Sequence, residues 1–192
     1  MTIAADAWLW IQYVWIALVV VWIAGMFVTR ATVRRQSSSS RFWQTGIVLL
    51  GAWLLFVQTT GFAWMDGTVV AQTAVVEWMG FGITLAGVAF AIWARVTLGA
   101  NWSGVVAVKE EHRLVRRGPY RIVRHPIYTG ILTGLAGTAL ARGALHSILA
   151  LPVCGFGFWL KSLTEERFMV EEFGEEYMGY RHAVRALVPF IF

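Results

Sequence analysis

The chain has 192 residues, of which 58% are hydrophobic and 14% charged, with a formal net charge of +5 and eleven tryptophans. A soluble domain runs roughly 45–50% apolar and about 25% charged, and large apolar patches are rare on soluble monomers. With a mean hydropathy of +0.62, these values argue against a soluble enzyme, a disordered tail and a disulfide-stapled secreted domain, and for a polytopic membrane protein.

A helix that crosses a bilayer needs about 20 apolar residues, with a range of roughly 17–25. Residues 7–28 and 42–64 meet this with no formal charge past Asp6 and Arg41, and residues 67–94 meet it with one, Glu77. The first run lacks a basic leading region and is too long for a signal-peptide core, so it reads as a span rather than a cleaved leader. Glu77 falls early in the third helix, where it reads as an interfacial carboxylate. Two shorter apolar segments follow, 127–141 and 144–160, separated by Arg142 and Gly143. They read as a tight hairpin of short spans. The expected fold is therefore all-α, with five transmembrane helices in a single domain over 1–192.

Fifteen of the sixteen Lys and Arg residues fall on one side of this arrangement, and Arg142 alone falls on the other. The excess of positive charge marks the cytoplasmic side, which places the N-terminus outside and the C-terminus in the cytoplasm. Charges spread in this way express topology and do not form a nucleic-acid patch, so no nucleic-acid partner is expected. Cys154, the only cysteine, lies in an apolar run and reads as small core filler.

Two cytoplasmic stretches, 98–125 and 161–192, carry most of the polar residues. Neither a P-loop nor a dinucleotide fingerprint is present, and the four histidines lack metal-ligand spacing. No metal site is expected. The first stretch is dense: His112-Arg-Leu-Val-Arg-Arg-Gly-Pro-Tyr120-Arg-Ile-Val-Arg124-His125-Pro126-Ile-Tyr128-Thr-Gly130. Pro126 suits the first position of a helix, which puts His125 near the N-cap. The free N–H groups there favour a carboxylate or phosphate, and Arg124 adds a bidentate donor. The same block also reads as a positive-inside anchor with a proline-started helix.

The tail begins Lys161-Ser-Leu-Thr-Glu165-Glu166. Glu166, Val170, Phe173 and Tyr177 recur at helical spacing, which predicts an amphipathic helix separate from the fifth span. Its carboxylates suit a bound cation, or else pair with the arginines of the loop.

Taken in order, the two blocks resemble the isoprenylcysteine carboxyl methyltransferase family of integral membrane enzymes. The first block of the resemblance is His112, Leu114, Val115, Gly118, Tyr120, Arg124, His125, Pro126, Tyr128 and Gly130. After the hydrophobic hairpin come Glu165, Glu166, Phe173, Gly174, Glu176, Tyr177, Tyr180 and Pro189. Segment 98–103, Leu-Gly-Ala-Asn-Trp-Ser, is similar to the prokaryotic members, which implies the plasma membrane of a prokaryote.

The resemblance divides the chain into three N-terminal spans over 7–94 and a methyltransferase core over 95–192. It implies S-adenosylmethionine as cofactor, in a pocket formed by the cytoplasmic loop and the C-terminal helix. The cofactor-binding residues it implies are His112, Leu114, Val115, Tyr120, His125, Pro126, Tyr128 and Glu165. Arg124 and Glu166 are implied as catalytic. Lys161 stands where the family carries a substrate-binding Arg, with its charge kept and its bidentate fork lost. The implied acceptor is lipophilic or prenylated and held among membrane lipids. Alternatives are a phospholipid N-methyltransferase, an NADPH-dependent sterol-type reductase, which carries a related Arg-His-Pro block, and a non-enzymatic scaffold or transporter.

Overall fold

The computed structural model of the chain describes residues 3–27, 32–35, 38–101, 107–109 and 114–187. In order, the elements are α1 (Ile3–Met26), β1 (Thr32–Arg35), α2 (Ser38–Phe56), α3 (Ala63–Asp66), α4 (Ala74–Leu98), β2 (Ala107–Lys109), α5 (Pro126–Arg142), α6 (Leu145–Phe173) and α7 (Glu175–Ala183). Short 3₁₀ turns follow α4 and precede α5. Helices α1, α4 and α6 are long and apolar enough to cross a membrane, and Arg41–Phe56 is a shorter apolar helix. Side chains such as Ile16, Val20 and Ile23 on α1 and Leu49 and Trp53 on α2 are more than half exposed. That suits hydrocarbon and would be costly in water. This is an integral membrane protein.

The helices depart from the expected boundaries in three places. Residues 42–64 are not one span: α2 ends at Phe56. A polar turn follows, in which Asp66 accepts from the Thr59 hydroxyl at 2.6 Å and from the Thr60 N–H at 2.8 Å. Hydropathy does not register a turn whose polar groups satisfy one another. Residues 67–73 are not helical either. The Val69 N–H reaches the Gly143 carbonyl at 2.8 Å and the Leu145 N–H reaches the Gly67 carbonyl at 3.0 Å, and Thr73 then caps α4.

Third, the expected fifth span and tail helix are one 29-residue helix, α6. Hydropathy falls after Leu160, but Lys161–Phe173 contains no helix breaker, and loss of hydropathy does not stop a helix. The stop is Gly174, whose φ of +50° is awkward for any residue with a Cβ. Tyr177 therefore belongs to α7 and not to the face that begins at Glu166. A small antiparallel ribbon, pairing Thr32 with Lys109 and Arg35 with Ala107, also departs from the all-α expectation.

The helices meet through small residues. On α4, Gly80, Thr84, Gly87 and Ala91 face Gly130, Gly134, Gly137 and Ala141 on α5. A Cβ on Gly130 would lie 2.6 Å from the Gly87 carbonyl, and one on Gly80 would lie 2.6 Å from the Gly137 carbonyl. The two backbones therefore touch, which is how helices gain contact where lipid supplies no hydrophobic drive. A buried polar chain completes the seam. Trp15 donates to the Thr138 hydroxyl at 3.0 Å, and the Thr84 and Thr138 hydroxyls lie 3.2 Å apart.

The second pair, α2 and α6, closes over Gly51 and Gly157. Gln44 donates to Thr164 at 2.8 Å. Tyr128, Leu135, Ala150 and Phe158 lie in a shared core that joins α5 to α6. The outcome is that the start of α5 is held against α6 between its midpoint at Phe158 and Glu166, about two turns further on.

Candidate active site

The approach to α5 is built by a tight turn. Gly118 (φ +58°) and buried Pro119 start the 3₁₀ segment Gly118–Arg121, and the Tyr180 hydroxyl donates to the Tyr120 carbonyl at 2.6 Å. The C-terminal strand of chain then runs beside residues 123–125. The Arg124 N–H donates to the Arg185 carbonyl at 2.7 Å and the His125 N–H to the Ala186 carbonyl at 3.0 Å. The Thr129 hydroxyl reaches the Leu187 carbonyl at 2.6 Å. With its backbone fixed from both sides, the loop presents Arg124 and His125 to α6.

Two carboxylates receive them. The His125 ring lies between Glu165 and Glu166, with Nδ1 3.3 Å from Glu165 Oε2 and Nε2 3.2 Å from Glu166 Oε1. Glu165 and Glu166 differ by about 100° in helical direction, and an imidazole with a nitrogen on each side bridges that angle. Arg124 adds Nε and Nη2 to Glu166 Oε1, at 2.9 and 2.6 Å. Its Nη1 takes the carbonyls of Arg181 and Val184. The other Glu166 oxygen meets Arg181 Nε at 3.3 Å. Glu165 Oε1 accepts from the Tyr128 hydroxyl.

Aromatic rings wall the cluster. Tyr128 stacks on His125 (centroids 5.6 Å apart, 7° between planes) and on Phe158 (4.9 Å). Lys161 Nζ sits 5.4 Å from the centre of the Tyr128 ring, a cation on an aromatic face. Burial by itself would lower the pKa of His125, but its hydrogen bonds to Glu165 and Glu166 and their charges outweigh burial and raise it. The bridging geometry demands the same state, since only the imidazolium donates from both nitrogens. Burial, with Glu165 adding, pushes the Tyr120 phenol above its ordinary range.

Of the residues singled out from sequence, Arg124, His125, Pro126, Tyr128, Lys161, Glu165 and Glu166 come together here. Tyr120 is buried next to them. Leu114 and Val115 are half-buried upstream of the turn, apart from the hydrogen-bonded cluster. His112 lies outside the described residues, as does Pro189. The Arg124 guanidinium does not stand open as a fork beside the helix N-terminus: it is engaged with Glu166 and with the carbonyl end of α7. His125 precedes α5 but makes no capping bond; its ring turns to the glutamates instead. The sequence reading missed two participants, Arg181 and Phe158. Arg181 follows the Tyr177-to-Tyr180 block, yet one arginine among sixteen basic residues carries no local signal.

A model of the isoprenylcysteine carboxyl methyltransferase family matches residues 78–173, half of the chain, including α5, α6 and the loop before α5 but not α7 or the segment after it. The chain belongs to this family. Among curated relatives, it is 30% identical over 119 residues to a probable protein-S-isoprenylcysteine O-methyltransferase of Oryza sativa subsp. indica, a match that covers 60% of this chain and 62% of that protein. It is 36% identical over 101 residues to the protein-S-isoprenylcysteine O-methyltransferase of Schizosaccharomyces pombe, covering 51% and 43%. The chain thus spans less than two thirds of the length of these relatives. In fold it is similar to the solved structure of a eukaryotic intramembrane Ras methyltransferase of the family, with a TM-score of 0.53 and 23% identity, over 81% of this chain and 55% of that one. Membership in a methyltransferase family disfavours the reductase and scaffold readings.

Proposed function

We propose that the chain is a membrane S-adenosylmethionine-dependent methyltransferase acting on an isoprenylcysteine-like carboxylate or a related small lipophilic acceptor at the cytoplasmic face. The observation that carries this reading is the convergence of the Arg-His-Pro block and the Glu165–Glu166 pair on one imidazole, in a chain of this family. All five long helices are read as spans, with the N-terminus outside, in the plasma membrane of a prokaryote. The pocket is formed by the loop before α5, the far end of α6, and α7.

The residues present fit the cofactor by the chemistry of their donor set. Glu165 is a carboxylate for an ammonium group. Tyr128 has a ring face that already attracts a cation, and a sulfonium is one. When bound, the cofactor supplies a methyl carbon already activated for displacement by an oxygen nucleophile.

The chain's own contribution is then to bind, align and dry the reactants, since an activated methyl needs an oriented nucleophile more than a strong base. Arg124 and His125 hold Glu166 in one orientation. His125, Pro126, Tyr128 and Tyr120 line the pocket, and the cofactor-binding roles of Leu114, Val115 and His112 rest on the sequence resemblance. Lys161, on the Tyr128 face, attracts an anionic end of the bound molecules. A carboxylate acceptor needs no base. For an amine acceptor, Glu166 is the group placed to take the proton.

Calorimetry on detergent-purified protein tests the reading. Binding of S-adenosylmethionine and S-adenosylhomocysteine is expected, with at least a tenfold loss in Glu165→Gln. No binding up to millimolar concentration would sink it.

A further inference from the structure

Beside the cluster, on the far flank of α6, lies a groove of about 450 Å³ lined by Leu163, Glu166, Arg167, Val170, Glu171 and Arg181. We propose that this groove docks the anionic head of the methyl acceptor on its way to the reacting position. The inference rests on the methyltransferase reading and adds a recognition site to it.

The argument begins with the periodicity of α6. Phe156, Trp159, Leu163, Glu166 and Val170 succeed one another at steps of three and four, so they share one face of the helix. Phe156 and Trp159 are 50% and 48% exposed, in the apolar stretch that faces lipid. The face is therefore continuous: apolar and lipid-facing at the Phe156 end, a groove with an apolar floor at Leu163 and Val170, and charged at the rim. An amphiphile that lies along it keeps its tail in hydrocarbon and brings its head to Arg167 and Arg181.

Charge decides the sign of that head. Glu166 lines the groove, but its Oε1 already receives Arg124 and His125. Its charge is matched before Arg181 is counted. Arg181 meets Glu166 Oε2 through Nε, at 3.3 Å, and its side chain is 47% exposed. The guanidinium edge that bears its two terminal nitrogens is the geometry that takes a carboxylate in bidentate fashion. Arg167 is the second cation of the rim, and Glu171 on the same helix is the one carboxylate in the groove outside the cluster. Arg124 is committed to Glu166 and α7, so Arg181 is the arginine next to the cluster that is placed to receive an acceptor carboxylate. Glu166 is then the group shared by the docking groove and the pocket.

The test is photocrosslinking of purified protein with an S-prenylcysteine free acid bearing a photoreactive prenyl group, mapped by mass spectrometry. Labels are expected on the stretch from Phe156 to Val170. Unlabelled free acid is expected to compete at least tenfold better than its methyl ester. Arg181→Gln should remove that preference and Arg181→Lys restore part of it. Arg167→Gln, outside the cluster, is the second variant: it should weaken the preference for the acid while S-adenosylmethionine affinity measured by calorimetry stays within threefold.

Labels confined to α4 or α5, or equal competition by acid and ester, would overturn the groove. So would displacement by phosphatidylglycerol but not by the free acid, which would make it a resident lipid site. If S-adenosylmethionine binds in these cases, methyl transfer stands without the groove. If it does not bind, the parent reading itself fails.

Discussion

One oxygen of Glu166 accepts three charge-assisted hydrogen bonds, two from Arg124 and one from His125. Both members of the Arg124–Glu166 pair are largely buried, and removing one partner of such a pair costs about 3–5 kcal/mol because it strands the other charge. Glu166→Gln keeps the volume and removes the charge. It is expected to lower the unfolding midpoint in detergent and to abolish measurable methyl transfer. Arg124→Gln should do the same, and the double variant should be less unstable than the sum of the two, as a double-mutant cycle in thermal unfolding would show. His125 carries a separate signature. Its folded-state pKa is raised, so the stability it contributes is fully present below its unfolded value of about 6.5 and is lost as pH rises through the folded value. The unfolding midpoint of the wild type should therefore fall as pH rises past that raised value, and His125→Gln should flatten that decline. Equal slopes in the two proteins would refute the assignment.

At the scale of elements, the α4–α5 seam sets where the cluster stands. A side chain at Gly137 would meet the Gly80 carbonyl and the Thr84 backbone at 2.5 Å. Gly137→Val should therefore part the helices, and overpacking of this kind costs typically 1–3 kcal/mol or more. Gly82, on the open side of α4, has nothing within 4 Å of a built Cβ, and Gly82→Ala should leave the unfolding midpoint within about 1 °C. The glycines were visible in the sequence, and Gly130 with Gly134 already suggested packing. Their partners were not visible, since no local pattern says which face of α4 meets which face of α5. The helices themselves were legible from hydropathy, but their ends were not. Asp66, Thr59 and Thr60 close a turn by side-chain hydrogen bonds, and α6 runs past the point where hydropathy drops. The chemistry-bearing blocks were legible as ordered motifs. That Arg124 faces Glu166 and α7, and that Arg181 joins them, depends on contacts across forty to sixty residues.

For the molecule as a whole, the cluster and Arg142 lie at opposite ends of the α5–α6 hairpin, and Cys154 is buried between them. The proposed orientation can be tested through this layout. In intact cells, an impermeant maleimide should label Arg142→Cys but not Arg121→Cys, and broken cells should label both. The unbroken course of α6 has a further consequence. At about 1.5 Å per residue, its 29 residues measure about 43 Å, while a hydrocarbon core is about 30 Å thick. In the proposed topology the same helix starts beside Arg142 at one face of the bilayer and carries Glu165 and Glu166 at the other, so it acts as a ruler between lipid and chemistry. A bilayer of different thickness must tilt the rod or be deformed by it, and either response changes how the glutamates meet His125. Turnover in vesicles should accordingly pass through a maximum as acyl chains are lengthened, with the cofactor, the acceptor and every side chain of the pocket unchanged.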